Sequence, residues 1–159
     1  MRRLRPIRVY VDTSVFGGVF DPEFARASQR FFAKLDSDVF EPVVSPVVAQ
    51  EIVDAPDRVR QAYREVVRGI PQVQIDAAAL DLRDAYLDAG IVNRRWAADA
   101  LHVAIATISG CSMIVSWNFK HIVNFRRIPL YNAVNRANGY GEIGIFTPQE
   151  VIEDEEEVV

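Results

Sequence analysis

The sequence predicts an α/β protein of three layers, α/β/α, with helices on both faces of a mostly parallel central sheet. Three observations carry this reading. Short apolar runs alternate with helical segments along nearly the whole chain. The connections between the runs are too long for hairpins. The first run, residues 8–11, is continuously apolar after its opening arginine, as a parallel strand buried on both faces should be.

Taken in order, Asp12 closes that first strand. Asp21-Pro22 predicts an N-cap with proline in the first helical turn, and Phe24, Ser28, Phe31, Phe32 and Leu35 follow at helical spacing. Residues 40–44 form the next strand. Ser45-Pro46 repeats the cap-then-proline pattern and opens a helix with Glu51 near its middle. A charged helix over 57–68 stops at Gly69, and 73–75 read as a short strand. Helices over 77–89 and 95–109 end at Gly90 and Gly110, with the loop 91–94 between them. Residues 113–116 predict another buried strand, 129–138 a helix broken at Gly139, and 143–146 a last strand. Thr147-Pro148-Gln149-Glu150 is a capping box with proline at the first helical position.

With 159 residues, half of them hydrophobic, the chain can bury one sizeable core and is read as one domain over residues 1–149 followed by an acidic tail, 150–159. That tail carries six acids and no base, which leaves 18 basic against 16 acidic side chains in the body. The formal net charge of −4 therefore does not exclude a nucleic-acid partner. The tail reads as a solvated helix end or a frayed terminus, with folding over a basic groove as the sharper alternative. No apolar run approaches the roughly 20 residues that span a bilayer, and the basic lead MRRLRPIRVYVD runs straight into a strand. The expectation is a cytoplasmic protein with no membrane association. Its single cysteine, Cys111, reads as a buried thiol.

Four polar residues sit at the boundaries of hydrophobic elements: Asp12 in VYVDTSV, Glu51 in SPVVAQEIV, Asp99 in WAADALHVAIA and Asn118 in MIVSWNFKHI. In an open parallel sheet, ligands bind beyond the carboxyl ends of the strands, where Asp12 and Asn118 fall. Carboxylates that converge there lose solvation and repel one another unless a cation neutralises them. Oxygen ligands without cysteine or histidine favour Mg2+ or Mn2+, and so a phosphate-ester substrate. Each residue also has a plain reading: Asp12 as a turn or cap aspartate, Glu51 as a surface glutamate, Asp99 as a first-turn acid favoured by the helix dipole. His102, one turn after Asp99, reads as a satisfied core histidine, with a donor role behind the site as the alternative. Ser14, Lys120 and His121 are candidate substrate contacts. Arg60, Arg64 and Arg68 recur every four residues as a positive stripe, Arg64 being the candidate to steer a phosphate backbone.

Taken together, the aspartate of VDTSV, the glutamate of SPVVAQEI, the aspartate of ADALHVAIA and the motif VSWNFKHIVN resemble the PIN-domain family, specifically bacterial PIN ribonucleases of type II toxin–antitoxin pairs. The resemblance spans nearly the whole chain. It implies a parallel-sheet α/β/α nuclease fold whose acids hold Mg2+ or Mn2+ and cut single-stranded RNA. It also implies a homodimer held inactive by a small antitoxin protein. Asp12, Glu51 and Asp99 match the three core acids, and the resemblance implies that all three are metal ligands. Asn118 departs from the aspartate found in many members, which removes one negative charge and makes one-metal catalysis the expectation.

The competing reading is a PIN module that binds RNA or a protein partner without cutting. A haloacid-dehalogenase-type phosphatase needs a second aspartate where Ser14 stands. An adhesion-type metal site needs a serine where Phe16 stands.

Overall fold

The protein, seen as a computed structural model, is described here over residues 4–153. Four strands form one all-parallel sheet: β1 (Ile7–Val11), β2 (Phe40–Val43), β3 (Met113–Val115) and β4 (Gly144–Phe146), in the order β2-β1-β3-β4. The three-layer α/β/α class follows from this sheet and the helices that join its strands. Val9, Tyr10, Val11, Ile114 and Val115 are buried, which explains why the central strands are apolar without alternation. Arg8, the polar exception in β1, donates from Nη1 to Glu41 Oε1 (2.7 Å) and from Nε to the Ser109 carbonyl (3.1 Å).

The helices are α1 (Thr13–Gly18), α2 (Ala25–Leu35), α3 (Pro46–Ile52), α4 (Asp57–Val67), α5 (Ala77–Asp88), α6 (Ala97–Ile108), α7 (Ile128–Ala137) and α8 (Pro148–Glu153). Their contacts sort into two groups, with α2 packed on α8 and α1, and α5 packed on α6 and α7. The chain leaves β1 toward β2 and leaves β3 toward β4, in opposite directions along the sheet. The two central strands therefore flank the point where strand order reverses, and their carboxyl ends open a crevice there.

Several expected boundaries shift. The residues after Asp12 form a helix, α1, and not a plain turn. Asp21 accepts the Glu23 N–H (2.9 Å) and its carbonyl accepts those of Phe24 and Ala25, so it caps a turn that precedes α2. The helix expected from residue 95 divides into a 3-10 turn, Arg94–Trp96, and α6. Residues 73–75 are not a strand. Only an isolated bridge, Val44 to Gln72, forms there, and the chain turns away three residues later because Asp76 caps α5 by accepting the Ala79 N–H (3.0 Å).

The capping box is reciprocal: Thr147 N–H donates to Glu150 Oε1 (3.1 Å) and Glu150 N–H donates to Thr147 Oγ1 (3.2 Å). Val151 and Ile152 then enter the core, and Lys34 Nζ donates to the Val151 carbonyl (2.9 Å). The fold thus reaches into the acidic stretch as far as Glu153, and the rest of that expected tail, 154–159, lies outside the described residues. Among the described residues no helix is long and apolar enough to cross a membrane. Cys111 is buried, and desolvation pushes its thiol up to about 11 despite the opposing charge of Arg8.

Candidate active site

Parallel pairing of β1 with β3 places Val11 beside Val115, so the next residues, Asp12 and Ser116, emerge side by side at the strand ends. Asp12 occupies the N-cap position of α1, yet its side chain makes no capping bond. Its carboxylate turns into the crevice, where Oδ2 accepts hydroxyl bonds from Ser14 (2.7 Å) and Ser116 (2.7 Å). It is only 4% exposed, so burial and these two donors fix its direction. Ser14 Oγ also accepts the Trp117 N–H (2.9 Å), which ties α1 to the segment after β3.

Glu51 arrives from α3, its side chain 38% exposed. Its Oε1 bonds Thr13 Oγ1 (3.1 Å) and makes a short contact with His102 Nε2. His102 is 1% exposed on α6, and the same Nε2 lies 3.5 Å from Asp12 Oδ1. On the far side of the ring, Nδ1 meets the Tyr10 hydroxyl (2.7 Å), which meets Ser45 Oγ (2.7 Å). Burial works against a charge on His102, but Asp12 first and Glu51 next, with Asp99 adding, raise its pKa above the ordinary 6.5. With a proton on Nδ1 the ring donates to the Tyr10 hydroxyl, whose own proton is then directed to Ser45. Burial, with the charges of Asp12 and Glu51, holds the Tyr10 phenol well above its usual range.

Asp99 lies in the first turn of α6, as expected, and its Oδ2 pairs with His121 Nδ1 (2.8 Å). His121 stacks on Trp96 with ring centroids 4.7 Å apart, and its carbonyl accepts the Tyr131 hydroxyl (2.8 Å). Asn118 joins the two halves of the site. Its N–H donates to Ser116 Oγ (2.9 Å) and its Oδ1 accepts the His121 N–H (3.0 Å), so a continuous run of bonds leads from Asp12 through Ser116, Asn118 and His121 to Asp99.

The structure therefore brings Asp12, Glu51, Asp99, Asn118, Ser14 and His121 into one network. Lys120 is exposed in the turn before His121. Arg64 is exposed on α4, which packs against α1 and α3, and no hydrogen bond among the described residues joins it to the acids. In the same stripe Arg60 is committed to Asp57 and to the Val53 carbonyl (3.1 Å). Sequence reasoning passed over Ser116, Thr13, Tyr10 and Ser45. Of these Ser116 was within reach, as the polar residue that ends the strand paired with the one before Asp12.

Three carboxylates with hydroxyl and amide oxygens, and no thiolate, form a donor set suited in chemistry to a hard divalent cation. As arranged, each carboxylate meets an imidazole: His102 stands between Asp12 and Glu51, and His121 is turned onto Asp99. Among the described residues no group of three histidine, cysteine, aspartate or glutamate side chains is arranged to hold a metal ion. Scanned against models of known protein families and against curated protein sequences, the chain matches none.

Proposed function

We propose that this chain is a metal-dependent endoribonuclease of the PIN type, with Asp12, Asp99 and Glu51 holding Mg2+ or Mn2+ and RNA as its substrate. The observation that carries the reading is the gathering of three carboxylates, from three separate elements, at the reversal point of the sheet, with Asp12 and Glu51 against His102 and Asp99 joined to Asp12 through His121, Asn118 and Ser116. When bound, the cation supplies charge neutralisation at the scissile phosphate and acidifies a water. Ser14 and Ser116 orient the Asp12 carboxylate. Glu51 Oε1 is the proton acceptor, solvent-facing on one side and backed by His102 on the other. His121 and Asn118 fix Asp99, and Lys120 and Arg64 attract the phosphate backbone. The role of toxin, a small antitoxin partner, a homodimer and a cytoplasmic location belong to the proposal through the resemblance alone.

A second reading, a PIN module that binds without cutting, has one observation in its favour. Asn118 Oδ1 is taken up in accepting the His121 backbone N–H, and Glu51 and Asp99 are each paired with a histidine. The test is cleavage of a mixed RNA pool by purified protein with Mn2+ or with chelator, beside Asp12→Asn and Asn118→Asp. Cutting that requires metal and Asp12 supports the nuclease. Silence in the wild type with activity in Asn118→Asp supports the binding module.

A further inference from the structure

Two segments beside the site combine exposed rings with a net positive charge. One is residues 91–96 and the other 117–127, and together they carry Arg94, Arg95, Lys120, Arg126 and Arg127 with no aspartate or glutamate. They are locked to each other by the Trp96–His121 stack and by Arg127 Nε donating to the Ile91 carbonyl (3.0 Å), and the Asp99–His121 bond ties the second to α6. The nearest acids are committed, Asp88 to Arg94 and Asp99 to His121.

From this surface Phe125 stands 78% exposed, Phe119 49% and Trp96 39%. The position of Phe119 is set from behind, where Trp117 and Phe24 stack at 4.3 Å and Phe119 leans on both at 6.1 Å. Trp117 is itself anchored through Nε1 to Ser28 Oγ (2.8 Å). Two of the rings keep a cation close, Arg95 over Trp96 at 5.1 Å and Arg126 over Phe125 at 5.6 Å. A ring for a base beside a cation for its phosphate is the combination that holds unpaired strands, since every base has a face to stack and every linkage a charge.

We infer that this face is a stacking platform for single-stranded nucleic acid, with Phe119 and Phe125 each taking an unpaired base while Arg95, Lys120 and Arg126 hold the backbone. The platform leads to Asp99 and rests on the nuclease reading for its purpose, though its binding does not depend on cleavage. A duplex, whose bases are stacked internally, does not engage it. An apolar protein partner is the rival occupant, and the charge without acids favours a polyanion.

The test is fluorescence anisotropy of labelled 12-nucleotide oligouridylate and oligoadenylate, and of a duplex RNA of equal length, with full-length protein in chelator. Phe119→Ala and Phe125→Ala are each expected to weaken single-strand binding by about 5-fold to 150-fold, with duplex binding unchanged. Lys120→Ala is expected to lower the salt dependence by about one phosphate contact. Phe125→Leu, which keeps an apolar side chain without a flat ring, is expected to behave like the alanine variant. Circular dichroism verifies that each variant is folded. Wild type that binds no single strand, or duplex as tightly as single strand, overturns the inference. So does Phe125→Leu binding like wild type, which would show that a stacking ring is not what holds the strand. Because binding is read without metal, loss of cleavage in Asp12→Asn with binding intact separates the fate of the platform from that of the nuclease.

Discussion

At the scale of the residue, His102 carries the electrostatic balance of the site. It sits between Asp12 and Glu51, fully enclosed, with a pKa raised above 6.5 because those carboxylates outweigh its desolvation. The folded group thus binds its proton more tightly than the unfolded chain does. Its contribution to stability is fully present below pH 6.5 and is lost as pH rises through the folded pKa. Denaturation in chelator across this window should show stability falling with pH in the wild type, and a flatter profile in His102→Gln. Gly18 is a second decisive position. A Cβ there would lie 2.6 Å from Ser28 Oγ and 2.7 Å from Trp117 Nε1, so glycine is what lets those two side chains meet. Gly18→Ala is expected to cost about 1–3 kcal/mol, read by urea denaturation.

At the scale of the element, the segment after β3 is built by side chains that cap backbone. Asn118 Oδ1 holds the turn at His121, and an aspartate could accept the same N–H, so Asn118→Asp should fold normally while adding a negative charge beside Asp99. Helix α8 depends on its capping box and three buried residues, Pro148, Val151 and Ile152. Thr147→Ala should cost about 1 kcal/mol and Ile152→Ala about 2–4 kcal/mol in thermal or urea unfolding, and Glu153→Ala should change little. Much at this scale could be read from local chemistry. Gly90 and Gly110 end α5 and α6 with φ of +75° and +72°, and Pro148 follows a threonine cap as the pattern requires. What failed was set by neighbours. Residues 73–75 have strand-forming side chains, but the pull of the Asp76 cap leaves one bridge to Val44 and no room for a ladder.

At the scale of the molecule, an all-parallel sheet with its order reversing between β1 and β3 brings Asp12, Ser116 and Asn118 to one crevice, and helices α3 and α6 deliver Glu51 and Asp99 beside it. The acids were legible in the sequence because each breaks an apolar run. Their partners were not. That Ser116 reaches Asp12 depends on strand register, and that one imidazole meets both Asp12 and Glu51 depends on how α6 lies across the sheet. Neither is written in the spacing of residues along the chain. The central claim is that these three carboxylates, here paired with histidines, are the ligands of a hard cation. Its most direct test is titration of Mn2+ into the purified protein, followed by electron paramagnetic resonance, for wild type, Asp12→Asn and Asp99→Asn. The account predicts saturable binding by the wild type, weakened about 10-fold to 100-fold or more in each variant. Absence of binding by the wild type, or equal binding by all three, would contradict it.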